Sequence, residues 1–142
     1  MTTRCVFCDG VGGDLVWRDA RCRVVLTSEP FSGFCRVIWN AHVREMTDLA
    51  APDRTHFMHV VHAVESALRA RLTPIKMNLA SLGNQTPHLH WHVIPRFADD
   101  SHFPNAVWAA PQRDAVARPL PDDFVAALSG DLAAILGASA AR

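Results

Sequence analysis

The sequence predicts an α+β fold, an antiparallel sheet of about five strands packed by one long helix plus a C-terminal helix. Three observations predict it. Short β-prone apolar runs recur in both halves of the chain, one long stretch repeats its apolar residues at helical spacing, and the breaks between strands are short and rich in Pro, Ser, Gly and Asn. With 142 residues, 49% of them hydrophobic and 20% charged, the chain has the size of one domain able to build its own core. We expect a single domain over 1–142, with a core at about 5–96 and a C-terminal loop and helix at 97–142.

LVWRD (15–19) and RCRVVLT (21–27) are expected to be the first two strands, and GFCRVIW (33–39) a third after the break at 30–33. Beyond Pro52, Phe57, Val60, Val61, Val64, Leu68 and Leu72 recur at three- and four-residue steps. That places one buried stripe on a helix, which Pro74 ends. IKMNLASLG (75–83) and HLHWHVIPR (88–96) follow as two strands joined by a polar turn at 84–87. The segment 99–114 is loop-like, and a final helix is expected at 122–136. Cys22 and Cys35 fall inside strands, where a free thiol behaves as a small apolar residue.

Acidic and basic residues balance at 14 each, so no basic stripe is available for a nucleic-acid backbone, and long nucleic acid is not an expected partner. No apolar run approaches the roughly 20 residues that span a bilayer, and the first residues lack an export-type apolar region. A cytoplasmic protein is expected, without membrane contact. Its four cysteines are then reduced or metal-bound rather than paired as disulfides.

Alternate residues of a strand share a face, so His88, His90 and His92 point one way, while Leu89, Trp91 and Val93 point to the core. Three such histidines have three readings. They are solvated surface groups, or ligands of a catalytic zinc hydroxide, or a nucleophile with its helpers. At about 3.3 Å per residue, the outer pair has Cα atoms roughly 13 Å apart, too far for both rings to bond comfortably to one ion at about 2.1 Å. The outer histidines therefore have separate duties. A neutral imidazole attacking phosphorus is the third reading, and a pKa of about 6.5 leaves much neutral base at cellular pH.

The segment HLHWHVI (88–94) resembles the signature of the histidine-triad (HIT) family of nucleotide hydrolases and transferases, in its bacterial-type form: His-x-His-x-His followed by two apolar residues. MNLASLGNQTP (77–87) and VIWNAHV (37–43) extend the resemblance, which spans roughly residues 5–96. It implies a HIT-like fold, a homodimer, and cleavage at the α-phosphate of a nucleoside phosphoramidate, a dinucleoside polyphosphate or a related mononucleotide ester. It also implies a covalent nucleotidyl intermediate on His90. His92 would contact phosphate, and Asn78 and Gln85 would hold ribose or phosphate oxygens. The alternative is a non-catalytic nucleotide-binding protein, and a third reading is the zinc-hydroxide hydrolase. Two departures bear on the substrate. Thr27 and Ser28 stand where many members carry an acid for the ribose, and Phe34 where several carry a further histidine.

CVFC (5–8) is by itself a zinc half-site, a redox couple or a coincidence, and it lacks the strand-to-helix setting of a thioredoxin-like pair. The family resemblance implies one structural zinc ion on Cys5, Cys8, His42 and His88, and no organic cofactor. His56, His59 and His62 are expected on a solvated helix edge, with no carboxylate partner on the same helical pattern. His102 is expected to be an ordinary loop residue, and Trp108 to contact substrate or a second subunit.

Overall fold

The computed structural model describes residues 4–140. A short helix α1 (Val6–Asp9) precedes strands β1 (Asp14–Arg18), β2 (Cys22–Leu26) and β3 (Cys35–Trp39). A 3-10 turn (Met46–Asp48), helix α2 (Ala51–Leu72), strands β4 (Lys76–Ala80) and β5 (His90–Arg96) and helix α3 (Phe124–Leu136) complete the order. The five strands form one sheet, β1-β2-β3-β5-β4, in which every neighbouring pair is antiparallel.

Helix α2 begins where Pro52, whose missing N–H costs nothing in a first turn, pre-sets the backbone. It stops at Thr73, in the left-handed region at φ 44°, immediately before Pro74. Of its stripe, Phe57, Val60, Val61, Val64 and Leu68 are buried and Leu72 is partly so. The stripe meets Cys22 and Val24 of β2, Cys35, Val37 and Trp39 of β3, and Val93 of β5, with Phe124, Leu128 and Leu132 of α3 filling one end. Each large apolar side chain removed from water there contributes about 1.5–3 kcal/mol. Within it Trp39 and Phe57 form an edge-to-face pair, with ring centroids 5.2 Å apart.

The edge strand β1 carries a bulge between Leu15 and Trp17, which turns both Val16 and Trp17 inward. The chain end covers it: Ala140 N–H donates to the Arg18 carbonyl at 2.7 Å, and the Trp17 indole N–H to the Gly137 carbonyl at 3.0 Å. Among the described residues, no helix is long and apolar enough to cross a membrane.

The elements depart from expectation in two places that matter for the site. The helix α1 carries Cys8 and is capped by Cys5, and it is too short to show a period in sequence. Strand β5 begins at His90 rather than His88, because Leu89 pairs elsewhere. Leu89 N–H donates to the Val43 carbonyl at 2.8 Å and its carbonyl accepts from Trp39 N–H at 3.1 Å, so His88 occupies a bend.

Candidate active site

The face of the sheet opposite α2 carries the reactive groups. Cross-strand register sets Ile38 beside His90, Arg36 beside His92, and Ala80 on the other flank of His92, with Asn78 beside Ile94. His90 is 5% exposed. Its Nδ1 lies 2.6 Å from the carbonyl of His88, so Nδ1 carries the hydrogen and donates, leaving Nε2 with a free lone pair. Burial lowers the basicity of the ring, the His88 carbonyl raises it, and Arg36 and His88 lower it further. The net direction is downward, which keeps His90 neutral and nucleophilic near neutrality.

His92 is 6% exposed, and burial, with His90 and Arg36 nearby, pushes its pKa down to about 3. It is therefore neutral at physiological pH. Its ring is boxed edge-on by His90 at 4.9 Å, Phe34 at 5.5 Å and Trp108 at 4.9 Å between centroids. Its Nδ1 is buried with no hydrogen-bond partner among the described residues.

His88 turns away from the other two. Its Nε2 donates to the Trp39 carbonyl at 2.6 Å, which fixes Nδ1 as the acceptor. That Nδ1 lies 3.3 Å from Cys5 Sγ, 3.5 Å from Cys8 Sγ and 3.2 Å from His42 Nδ1, and Cys8 Sγ is 3.4 Å from His42 Nδ1. Bond lengths of about 2.0–2.1 Å to nitrogen and 2.3 Å to sulfur in a tetrahedron require edges of roughly 3.3–3.8 Å. The four donors, all within 4.8 Å of one another, thus already have the spacing of a tetrahedral Cys2His2 set. The ring of Phe7, between the two cysteines, packs on His90 at 4.9 Å and on His88 at 5.8 Å.

Asn78 reaches the same face from β4. The buried Arg96 donates to its Oδ1 at 2.8 Å, which turns the Asn78 amide N–H2 outward as a donor. The other arms of Arg96 hold Asp100 at 2.8 and 3.0 Å, tying the loop after β5 to the site. Gln85 is exposed in the turn before His88. The structure thus brings His90, His92 and Asn78 onto one face and Cys5, Cys8, His42 and His88 into one cluster beside it.

The model of the family described as HIT domain matches residues 11–99, more than half of the chain. The chain belongs to the HIT family. This HIT protein is 27% identical over 114 residues to Protein hit of Bacillus subtilis (strain 168), covering 73% of this chain and 78% of that one. A member of the HIT family from Bacillus subtilis has a solved structure that is 26% identical, with a TM-score of 0.63 over 76% of this chain and 83% of that one. A histidine triad protein from Bradyrhizobium japonicum shares the fold at 24% identity, with a TM-score of 0.70 over 84% of this chain and 91% of that one. So does a Zn-bound histidine triad family protein from Mycobacterium smegmatis, at 24% identity and a TM-score of 0.66 over 92% and 94%.

In this HIT chain two site features escaped the reading of the sequence. Arg36 lies on the triad face, and its only advance signal is a charge at an alternate position of an otherwise apolar strand, whose register against β5 is a tertiary fact. His56 finds a carboxylate partner from outside its helix. Its Nε2 is 2.6 Å from Asp19 Oδ2, with Cys22 Sγ at 4.0 Å. The other Asp19 oxygen accepts the Arg21 and Cys22 amides at 2.8 Å each, so a side-chain hydrogen bond and a turn account for that cluster. His59 and His62 are exposed as expected, and His102 sits in its loop with Nδ1 2.8 Å from Ser101 Oγ. A groove of about 560 Å³ near Phe31, Phe97 and Arg118 includes no triad histidine.

Proposed function

We propose that the protein is a nucleotide hydrolase or nucleotidyl transferase that cleaves at the α-phosphate through a covalent nucleotidyl intermediate on His90. One observation carries the reading: the 2.6 Å hydrogen bond from His90 Nδ1 to the His88 carbonyl, which puts the ring hydrogen on Nδ1 and leaves Nε2 unprotonated. In the first step the Nε2 lone pair forms a bond to phosphorus. The bond to the leaving group breaks, and the leaving group departs with the electron pair. The Nδ1–H donated to the His88 carbonyl steadies the positive charge that then develops on the ring. In the second step water attacks phosphorus and gives up a proton to solvent, the N–P bond breaks, and a mononucleotide leaves while His90 recovers its lone pair.

His92, neutral and flanking His90, is assigned to a phosphate oxygen. Asn78, with its amide donors turned outward by Arg96, is assigned to a ribose or phosphate oxygen, and Gln85 to the same region of substrate. Substrates of this chemistry are nucleoside phosphoramidates, dinucleoside polyphosphates and related mononucleotide esters. Homodimerisation belongs to the same proposal and is checked by sedimentation.

Cys5, Cys8, His42 and His88 would hold one structural zinc ion, for which the donor spacing and the fixed tautomer of His88 are the support. When bound, zinc supplies a closed four-ligand tie between chain segments and no reactive position. Phe7, held between its two cysteines, then keeps its contact with His90. A catalytic zinc hydroxide is disfavoured because the four-donor set excludes His90 and His92.

The test is mass spectrometry of the native protein and His90→Ala after brief incubation with adenosine phosphoramidate and diadenosine polyphosphates, with product release followed in parallel. An acid-labile nucleotidyl adduct and turnover, both missing from the variant, are expected. Nucleotide binding with neither adduct nor turnover in the native protein would replace this reading with that of a binding protein.

A further inference from the structure

On the triad face, two polar groups remain unanswered side by side. Arg36 stands directly across from His92 in the β3-β5 register. Its Nε is buried without a partner among the described residues, and so is His92 Nδ1. The guanidinium lies over the Phe34 ring, 5.6 Å from its centroid, and Phe34 in turn packs against His92 at 5.5 Å. Among the described residues only Nη2 is engaged, with Glu29 Oε1 at 3.2 Å, and that carboxylate is 46% exposed.

A buried charged group is ordinarily hydrogen-bonded on every side, and an Arg with one exposed partner and an orphaned buried N–H is built to receive an anion. The reacting phosphoryl group beside His90 needs one set of donors, which His92 supplies. A permanent cation next to that set is of use when a second phosphate adjoins the first. A phosphoramidate or simple ester has a leaving group with no such charge.

We propose that Arg36 is a specificity-determining residue that, beside His92, binds a phosphate adjoining the scissile one, so that the preferred substrates carry a di- or polyphosphate linkage. This rests on the reading of the triad as a nucleotide site. Phe34 keeps the guanidinium plane aligned with the site, and Glu29 is displaced or shared when the anion arrives.

The experiment is calorimetric titration of the native protein and of Arg36→Leu with AMP and with ADP, alongside turnover of diadenosine tetraphosphate and adenosine phosphoramidate. The native protein is expected to bind ADP about tenfold more tightly than AMP, and the variant to bring the two within about twofold, as loss of one charge-assisted contact implies. In turnover, the variant loses diadenosine tetraphosphate efficiency at least about tenfold more than phosphoramidate efficiency. Arg36→Gln reads the same ratio if the leucine variant fails to fold. Glu29→Gln, which leaves Arg36 in place and removes its competing carboxylate, tightens ADP. An ADP-to-AMP ratio equal in native and Arg36 variants overturns the proposal, and so does a native protein that binds neither. Binding with the expected ratio but no adduct on His90 keeps the role of Arg36 and rejects the covalent mechanism.

Discussion

At His92 the surroundings decide which protonation state the fold accepts. Unfolded, the ring titrates at about 6.5, whereas in the folded protein burial holds it down to about 3. Between those values the unfolded chain takes up a proton that the folded chain refuses. The contribution to stability is therefore fully present above about pH 6.5 and is lost progressively as the pH falls. Urea unfolding at pH 7 and pH 5 is expected to show a loss that is smaller in His92→Gln by about 1–2 kcal/mol, and equal losses would deny His92 this part. Asp100 works with the opposite charge. Burial raises its pKa, but Arg96 and the His102 and Phe103 amides outweigh that and bring it to about 2. Its stabilising charge is present above about pH 4 and vanishes as the pH falls through 2. Asp100→Asn leaves Arg96, 1% exposed, without its counter-charge. A cost of about 2–4 kcal/mol at pH 7 is expected, shrinking as the native protein is acidified.

The same logic of burial operates along whole elements. Phe57, fully buried on α2, fills the space against Trp39 that gives the helix its angle on the sheet. Phe57→Ala is expected to cost about 3–5 kcal/mol in denaturant unfolding, and a loss below 1 kcal/mol would mean that the helix collapses into the gap. This element was legible in sequence, since its apolar residues repeat every three or four positions and two prolines bracket it. The strands were legible for a related reason: Val, Ile and Trp at alternate positions fit a half-buried pleat. The alternation also put His90 and His92 on one face in advance. It misplaced His88, whose bend follows from backbone bonds of Leu89 to residues 39 and 43, far away in sequence. It was equally silent on Arg36, on the pairing of His56 with Asp19 and on α1, because register and one-turn helices are set by tertiary contacts.

Across the whole molecule, the Cys2His2 cluster ties together segments that no single element joins. Cys5 and Cys8 come from the chain start, His42 from the link between β3 and α2, and His88 from the approach to β5. Without a metal, two thiols and two imidazoles at such spacing gain little, whereas a bound ion closes long loops whose ordering the fold must otherwise sustain alone. The family match begins at residue 11, so Cys5 and Cys8 lie outside it, and donor spacing and the tautomer of His88 are what favour the ion. Protein purified without added metal is therefore expected to contain one zinc per chain. Stripping that zinc with a chelator, or replacing Cys8 by Ser, should lower Tm by several degrees, on the scale of a loss of 2 kcal/mol or more. Activity should then fade at the pace at which near-ultraviolet circular dichroism is lost, because on the proposed reading the ion would act through Phe7 and the His88 backbone rather than on the phosphate. Abrupt loss of turnover with the dichroism intact would instead place the metal in the chemistry, and a metal-free protein with free thiols and an unchanged Tm would remove zinc from the account.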